Sequence, residues 1–470
     1  MANDSVMATM PPKQTASTAQ YARGLFEDSL VTGVPQIINT QKVGRKVLKS
    51  VVLACCLIGF VYQTTGFLKI FWNYPTVLDI DVDYPEVIEP PAITYCNLNG
   101  IKRIQFCKRY PNSCETPSDI QEFCKKFPNT CEVNDLSNLK YPKEDAWNFE
   151  ENIRDDYLKF FGHFSNETLK FCRKLRNRND YEVCRRNDTI HMKMSTGTTG
   201  YRNCYTIYSN IKSENLNTHS VLVPKRKEAL FHLTFDMAAE EYFRPDREVG
   251  VAIAIHSPNT LVNPFYEGFV IKPSRLYTVH LKMVEEKLLP SPYETECKDY
   301  KSMWKLRGGK GPLNQDMCVA ECVYNASLEK CNCVDPNIMY HHNNRICTED
   351  ELNDCFFFNI SECYSLCQQP CEFTDFEYDV QERVLEDPSY SSVEDFKSDE
   401  PVSKRAAVML IFLKRPEVII YSHRPQYEDI EVFSFLGGYV GMWLGISLIA
   451  VFDFLESVVL TFCFWIKKKL

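Results

Sequence analysis

The chain has 470 residues, of which 44% are hydrophobic and 24% are charged, and its net charge is −9. These totals exclude a single small domain and are ordinary for a folded protein; no nucleic-acid partner is expected. The 21 cysteines are more informative, because all but Cys55, Cys56 and Cys463 fall between Cys96 and Cys371. Such density predicts an oxidising compartment. Zinc ribbons would need paired C-x-x-C motifs, which the sequence lacks, so no metal or cofactor is expected.

The first apolar stretch runs from Val51 to Leu68 between Lys49 and Lys69, and the aromatic-rich residues 71–75 follow it. It is about as long as the roughly 20 residues that cross a bilayer as a helix. Some fifty residues precede it and no small-residue cleavage site follows it, so it does not read as a signal peptide. We predict a cytoplasmic N-terminus over residues 1–46 and a first transmembrane helix over residues 47–71.

The second apolar stretch runs from Val432 to Ile466 and is longer than one perpendicular helix needs. Its second half carries Asp453 and Glu456, and carboxylates at membrane depth usually face protein or water. Two interpretations stay open on composition alone: a pore-lining helix, or a tilted anchor whose acids lie at its inner edge. The predicted segments are 431–466 for this second helix and 467–470 for a short cytoplasmic tail.

Charge predicts the topology. Residues 1–46 hold five basic and three acidic side chains, and residues 467–469 are three lysines, so both ends are expected in the cytoplasm. The segment 72–430 is then extracellular and acidic, which would raise the local concentration of cations, although ordinary solubility also explains the charge. Four sequons in this segment are predicted to be glycosylated, while the one at Asn3 should be unused. They lie at Asn166, Asn187, Asn325 and Asn359.

Between the two stretches the pattern is mixed α and β. Residues 248–255 predict a buried strand, and residues 278–283 a half-buried one. Residues 406–413 and 418–421 predict two more strands, joined by a turn at Lys414-Arg415-Pro416. The polar, acidic residues 385–403 predict an exposed loop, and no internal repeat is expected.

Cysteine spacing predicts a rod of two helices. Cys318 and Cys322 are four residues apart, and Cys363, Cys367 and Cys371 repeat that step, so each set shares one face of a helix. Antiparallel packing pairs early members of one set with late members of the other. The predicted bridges are Cys318–Cys367, Cys322–Cys363, Cys297–Cys371, Cys331–Cys355 and Cys333–Cys347.

Several motifs resemble the degenerin, epithelial sodium channel and acid-sensing ion channel superfamily. They are PAITYCNLN at 91–99, NCYT at 203–206, IHSP at 255–258, LPSPY at 289–293 and LGGYVGMWLGIS at 436–447. The resemblance covers nearly the whole chain and favours the pore interpretation of the second stretch. It implies an α+β fold with two transmembrane helices and a disulfide-rich extracellular domain of palm, thumb, finger, knuckle and β-ball.

The resemblance also implies a function. The chain would be one subunit of a homo- or heterotrimeric, amiloride-sensitive, voltage-independent channel for sodium ions in the plasma membrane, and not an enzyme. An extracellular neuropeptide is the expected gating ligand, with protons or mechanical force as alternatives. The peptide is preferred because Pro75 stands where acid-sensing members often carry a basic residue.

Single positions carry implied roles. Residues Gly445, Ile446 and Ser447 would form the selectivity filter, where small residues let three chains expose backbone carbonyls to the ion; Ile446 is larger than the usual middle residue. The resemblance implies roles for further positions outside the filter. They are the pore acids Glu428, Asp453 and Glu456, the degenerin position Ser434, the amiloride position Gly441, the N-terminal gating motif Thr32 and Gly33, and the gating contact of Tyr74 with Tyr293.

Two further bridges are implied by the resemblance, Cys96–Cys204 and Cys172–Cys184. It gives no pairing for the remaining extracellular cysteines, which are Cys107, Cys114, Cys124 and Cys131.

Other classes of protein fit less well. A channel gated by ATP would need clustered basic residues and another cysteine order. An ectoenzyme could use His341 and His342, but no third potential metal ligand lies at a spacing typical of a metal site. Residues 308–311 also lack the spacing of a phosphate-binding loop. A passive adhesion protein would not need carboxylates in its second apolar stretch. We therefore expect no catalytic residues.

Overall fold

The computed structural model describes a set of ranges separated by gaps, and all structural statements below concern these ranges. They are residues 33–131, 136, 139–151, 155–177, 180–185, 189–197, 200–211, 220–224, 228–335, 337–342, 344–347, 351, 360–385, 405–447 and 449–452. The chain divides into two compact units. The terminal unit comprises Met1–Val77 with Pro425–Leu470, and the central unit comprises Leu78–Arg424.

The α-helices of the described ranges are α1 (Gly33–Ile38), α2 (Val43–Phe71), α3 (Arg103–Arg109), α4 (Ile120–Lys126), α5 (Asn148–Glu151), α6 (Asp155–Phe161), α7 (Ser165–Thr168), α8 (Pro264–Glu267), α9 (Tyr300–Leu306), α10 (Gln315–Cys331), α11 (Ile360–Leu366) and α12 (Asp429–Tyr439). The strands are β1 (Thr76–Asp83), β2 (Val87–Ile88), β3 (Ala92–Asn97), β4 (Cys114–Glu115), β5 (Tyr141–Pro142), β6 (Leu169–Asn177), β7 (Asp180–Val183), β8 (Ile190–Ser195), β9 (Tyr201–Ile207), β10 (Val221–Leu222), β11 (Phe231–Asp236), β12 (Val251–His256), β13 (Phe269–Ile271), β14 (Arg275–Lys287), β15 (Glu372–Val384) and β16 (Ala406–Pro425).

Two large sheets form the central unit. The seven-stranded sheet has the order β15-β14-β16-β11-β6-β7, with β1 also paired to β16, and the five-stranded sheet has the order β13-β12-β3-β9-β8. Their inner faces share one hydrophobic core, in which Tyr95 and Ile253 of the smaller sheet join Phe235, Val279 and Met409 of the larger one. The predicted α+β class is confirmed for this unit.

The pattern of buried side chains distinguishes a half-buried strand from a fully buried one. Strand β14 alternates buried and half-buried residues from Tyr277 to Met283, because successive side chains point to opposite faces of a sheet. Strand β12 is buried at every position, as the unbroken apolar run predicts. It begins at Val251 rather than at the predicted Glu248.

The prediction of two strands joined by a turn at Lys414-Arg415-Pro416 is wrong. Strand β16 is continuous from Ala406 to Pro425. Its parallel partner β14 pairs Leu281 with Leu413 and then Met283 with Val418, so three extra residues bulge from β16 between these pairs. A bulge tolerates proline, which has no N–H to donate to the ladder. The predicted loop at 385–403 falls almost wholly outside the described residues.

The disulfide-linked helix pair α10 and α11 is present. Cys318–Cys367 and Cys322–Cys363 each span 5.8 Å between Cα atoms, and their reversed order makes the helices antiparallel. The prediction that Cys363, Cys367 and Cys371 share one face of a helix is wrong for Cys371. Helix α11 ends at Leu366, and Cys371 directly precedes β15, although Cys297–Cys371 forms as predicted.

The other predicted bridges among described residues also form: Cys96–Cys204, Cys172–Cys184 and Cys333–Cys347. Residues Cys96 and Cys204 face each other across β3 and β9, with 4.4 Å between Cα atoms, the spacing of a directly opposed antiparallel pair. Cys331 is disulfide-bonded, and its predicted partner Cys355 lies outside the described residues.

The expectation of no internal repeat is wrong. The segments FCKRYPNSCE at 106–115 and FCKKFPNTCE at 123–132 match closely in sequence. Each supplies the end of a short helix, α3 or α4, and then a 3₁₀ turn that begins with proline. Each is closed by a bridge that spans 5.6 Å between Cα atoms, Cys107–Cys114 in the first and Cys124–Cys131 in the second.

In the terminal unit, α2 has 29 residues and a mean hydropathy of 1.9 over its most apolar window. At 1.5 Å per residue it is about 43 Å long, enough to cross a bilayer by length and composition. Its side chains are mostly exposed, and Phe67 alone among them is buried. The second apolar stretch begins as α12 and is described as far as Phe452.

Candidate functional site

The second apolar stretch is not one unbroken helix. Helix α12 passes into a π-helical turn, Val440–Leu444, and Gly445 then takes a left-handed conformation with φ of 64°. Residues 449–452 are helical, and the Ser447 Oγ accepts the Ala450 N–H at 3.2 Å, as the side chain of an N-cap residue does. The predicted filter residues therefore form a non-helical break, and π-helical turns often mark functional sites.

The glycines before this break have no packing role within the described chain. A Cβ placed on Gly437 or Gly438 would meet no described atom within 4 Å, and one on Gly441 would meet only the Ile446 carbonyl oxygen at 3.9 Å. Glycine inside a helix costs about 1 kcal/mol relative to alanine. The described contacts of this chain therefore do not account for these glycines, which form an open face on α12 and the π-turn.

The N-terminal end of α12 is acidic. Glu428 caps the helix, and its N–H donates to Glu431 Oε2 at 3.1 Å, with Asp429 in the first turn. Negative charge at a helix N-terminus is stabilised by the helix dipole. Ser434 lies one turn further on, is exposed, and donates its hydroxyl to the Ile430 carbonyl at 3.0 Å.

An aromatic cluster joins α12 to α2 inside the terminal unit. The Phe67 ring lies 5.1 Å from Phe435, 5.4 Å from Tyr427 and 6.2 Å from Tyr439, measured between centroids. These spacings are those of attractive aromatic pairs. Phe67 therefore holds the N-terminal half of the second apolar stretch against α2, a role that the sequence alone did not indicate.

The other predicted positions lie at turns or outside the description. Tyr74 belongs to the terminal unit and has a left-handed backbone with φ of 49°. Tyr293 belongs to the central unit and donates its N–H to Pro290 in a turn, and its contact with Tyr74 stays a prediction. Gly33 starts α1, where a Cβ would lie 3.1 Å from Leu53 of α2. Thr32, Asp453 and Glu456 lie outside the described residues.

Ion pairs join β1 to β16, the strands next to the two apolar stretches. Arg424 of β16 contacts Asp79 at 3.1 Å and Asp81 at 3.0 Å, both on β1. Within the terminal unit, the Gln426 N–H donates to the Pro75 carbonyl at 2.9 Å. Exposed ion pairs stabilise little, about 0–1 kcal/mol, so the backbone pairing of β1 with β16 is the firmer connection.

Two buried histidines are poor acid sensors. Burial lowers the pKa of His163 to about 3, with Lys102 adding to the effect, and lowers that of His256 to about 4. Both rings stay neutral near pH 7. His256 Nε2 lies 2.8 Å from Thr94 Oγ1, and His163 Nε2 lies 2.8 Å from Asn99 Nδ2, so both serve structural hydrogen bonds.

Three carboxyl groups have raised pKa values. Burial raises the pKa of Glu150 against the opposing charge of Arg202, and burial also raises the pKa of Glu241. The pKa of Glu267 in α8 is raised first by burial and then by repulsion from Asp316 in the first turn of α10. Among these three groups, only Glu267 has its pKa raised by a carboxylate on another element.

Two of the four predicted glycosylation sites lie among the described residues, and both are exposed. Asn166 in α7 and Asn325 in α10 are exposed, whereas Asn187 and Asn359 lie outside the described residues. Among the described ranges no group of three or more His, Cys, Asp or Glu side chains is arranged to hold a metal ion.

Comparison with known proteins identifies the family. The family model of the amiloride-sensitive sodium channel matches residues 25–457. Acid-sensing ion channel 1C of Danio rerio is 23% identical over 426 residues, 83% of this chain and 74% of that protein. Acid-sensing ion channel 2 of Rattus norvegicus is 21% identical over 455 residues, with 88% and 81% covered.

Acid-sensing ion channel 4 of Homo sapiens is 21% identical over 448 residues, 88% of this chain and 74% of that protein. Among solved structures, a cryo-EM structure of a proton-activated chloride channel matches with a TM-score of 0.27 and 6% identity over 88% of this chain and 97% of that chain, too weak a likeness to bear on the fold. The match to the family model is decisive: the chain belongs to the amiloride-sensitive sodium channel family, a family of ion channels and not of enzymes.

Proposed function

We propose that this chain is a subunit of a trimeric, amiloride-sensitive, sodium-permeable channel of the plasma membrane, opened by an extracellular ligand. The observation that carries the proposal is the break at Gly445, Ile446 and Ser447. Non-helical backbone at membrane depth is tolerated where it is buried in protein or lines a water-filled cavity. The carbonyl oxygens of Gly445 and Ile446 are then available to a partly dehydrated cation, whereas that of Ser447 already accepts the Val451 N–H at 3.1 Å.

The open face of glycines supports an oligomer. Small residues let helices approach closely in a membrane, and Gly437, Gly438 and Gly441 have no described neighbour in this chain that needs the space. Copies of α12 around a common axis would use it. The acidic outer end of α12, at Glu428, Asp429 and Glu431, would raise the cation concentration at the mouth of such a pore.

The filter can be tested with a substitution that preserves the local structure. Ser447→Asp keeps an oxygen acceptor at the helix cap, since aspartate is as good a cap as serine, and adds only charge. We expect it to change the relative permeability to sodium, potassium and calcium more than Asp453→Asn does. Carboxylates at the narrowest point dominate the local field, while wider vestibules are screened by water and salt.

The measurement is the reversal potential under bi-ionic conditions, with surface labelling to verify expression. An unchanged reversal potential in Ser447→Asp removes Gly445, Ile446 and Ser447 from the filter. Ion flux from the purified protein in liposomes separates a channel from an adhesion protein.

The proposed ligand is a neuropeptide. Pro75, which replaces a basic residue often present in acid-sensing members, supports it, and the low pKa values of His163 and His256 remove two candidate proton sensors. Proton gating is the second candidate. It is favoured by the names of the relatives and by Glu267, whose raised pKa depends partly on Asp316.

One recording separates these candidates. Cells that express the chain, alone and with sister subunits, are exposed to pH steps from 7.4 to about 5 and then to candidate neuropeptides. Current evoked by peptide at constant pH supports the first candidate. Current evoked by acid alone, and reduced in Glu267→Gln, supports the second and contradicts the first.

A further inference from the structure

The first helix carries one polar contact to the π-helical turn. Trp443 donates its indole N–H to Gln63 Oε1 at 2.7 Å, and both residues belong to the terminal unit. Gln63 lies within α2, the apolar candidate membrane span. A polar side chain in a lipid environment is costly unless it finds a partner, so the pairing favours one position of the indole relative to α2.

The packing around this hydrogen bond is close. A Cβ added to Gly59 would lie 2.7 and 2.8 Å from two atoms of the Trp443 ring, so only glycine leaves the space that the indole occupies. Gly59, Gln63 and Phe67 are four residues apart and share one face of α2. The indole therefore packs against Gly59 and donates its N–H to Gln63, on the same face of α2 as Phe67 and its aromatic cluster.

The contact lies next to the proposed filter in sequence. Trp443 is in the π-helical turn, two residues before Gly445, whose N–H donates to the Gly441 carbonyl at 3.1 Å. A shift of the indole would be transmitted through this short turn, because the left-handed Gly445 follows it directly. The tripeptide itself has no such side-chain anchor among the hydrogen bonds of the described residues; Ser447 bonds only to its own following helix.

We propose that Gln63 and Trp443 are positioning residues for ion selection: their hydrogen bond holds the backbone at Gly445, Ile446 and Ser447 in place from outside the ion path. The inference rests on the proposed function, because it assumes that this tripeptide meets the ion. It adds that a residue of the first membrane helix determines the ion preference of a filter on the second.

The test is a double-mutant cycle in relative permeability. Gln63→Met keeps the length of the side chain and removes the acceptor, and Trp443→Phe keeps an aromatic ring on Gly59 and removes the donor. We expect each of these variants to change the sodium-to-potassium permeability ratio by about two- to tenfold, the change that one hydrogen bond supplies. The double variant should change it no further than either single variant does.

Thr65→Val is the matched control. Its hydroxyl donates to Val61 in the same helix at 2.7 Å, so its loss removes a polar group from α2 without touching the π-turn. Additive effects of Gln63→Met and Trp443→Phe, or an unchanged ratio in Gln63→Met, would overturn the inference. A wild-type protein that passes no cations would overturn the proposed function as well, whereas a conducting wild type with an unchanged ratio in Gln63→Met overturns the inference alone.

Discussion

The two units of the chain differ in where their apolar side chains go. The central unit buries its large side chains between two sheets and holds all eight of the disulfides found among the described residues. Among its described residues the terminal unit buries only Phe67, and it leaves residues such as Val47, Ile58 and Phe433 more than half exposed. The central unit therefore has its own core, whereas the terminal unit has apolar surface for lipid and for other helices.

This difference separates two sources of stability. Burial and cross-links act within the central unit and need no partner. On the proposed function, the helices of the terminal unit would depend on a bilayer, and their open glycine face would pack against further copies of the helix. Four experiments test the distinction, beginning with the one that has the largest expected effect.

The central unit alone should fold. We expect residues 78–424, secreted from a eukaryotic cell, to be a monodisperse protein that unfolds cooperatively and loses its structure in reductant, because its hydrophobic core and the eight bridges among its described residues need no residue of the terminal unit. Near-ultraviolet circular dichroism and peptide mapping without reduction provide the measurement. The map should link Cys318 to Cys367 and Cys322 to Cys363. Secreted protein that aggregates, or a Cys318–Cys322 link, would contradict the distinction.

Ser434→Phe should open the channel without ligand. Ser434 is exposed on the outer half of α12, and three copies near one axis would leave no room for a ring. A clash of roughly 1–3 kcal/mol shifts a two-state equilibrium about five- to 150-fold. The expected result is a standing current that amiloride blocks, more weakly when Gly441 is also enlarged.

Ser434→Ala is the control and should stay silent. If Ser434→Phe reaches the surface as a trimer with sister subunits present and passes no current, α12 is not the gate.

Phe67→Ala should destabilise the terminal unit more than an exposed substitution on the same helix. Phenylalanine to alanine in a packed core costs about 3–5 kcal/mol, and the lower end applies here because lipid can fill the gap. Ile58→Ala is the matched control, since Ile58 is exposed. Thermal unfolding of the detergent-solubilised protein is the measurement. Equal losses in both variants would mean that the aromatic cluster does not hold the two helices together.

The smallest expected effect is a pH dependence in the central unit. Glu267 has a pKa raised above 4.5, so it binds its proton more tightly when folded than when unfolded. Its contribution to stability therefore increases as the pH falls through the raised pKa towards 4.5 and is lost again at neutral pH. Glu267→Gln should remove this dependence, a change of no more than about 2 °C in Tm, because the group is partly exposed. Differential scanning fluorimetry from pH 7.5 to 4.5 measures it; an unaltered slope would exclude Glu267.

The sequence predicts the disulfide-linked helix pair well, because helical periodicity couples residue spacing to direction. Spacing alone therefore predicts the correct pairing of Cys318 with Cys367 and of Cys322 with Cys363. Cys107, Cys114, Cys124 and Cys131 allow three connectivities, and spacing alone does not choose among them. The signal was the repeat that contains them, since two copies of one local unit imply two local bridges.

The sequence does not predict the contacts that depend on packing between helices. Gly59, Gln63 and Phe67 share a face of α2 by their spacing, yet nothing in the sequence says that Trp443 meets them. The continuity of β16 also depends on a neighbour, since β14 pairs with it on both sides of the bulge at Lys414–Pro416. The local preference of proline predicts a turn at this position, but backbone pairing with β14 on either side keeps the strand continuous.

The cap at Ser447 limits how many electron pairs its oxygen can offer to a cation. A serine hydroxyl has two acceptor lone pairs, and one of them accepts the Ala450 N–H. In the proposed filter, one lone pair would remain in each subunit for a metal ion, and complete coordination would then draw on carbonyl oxygens or water. Ser447→Ala would remove that lone pair together with the start of the following helix, and its effect on permeation would mix two causes. Ser447→Thr preserves both, and is the substitution that isolates the added methyl group.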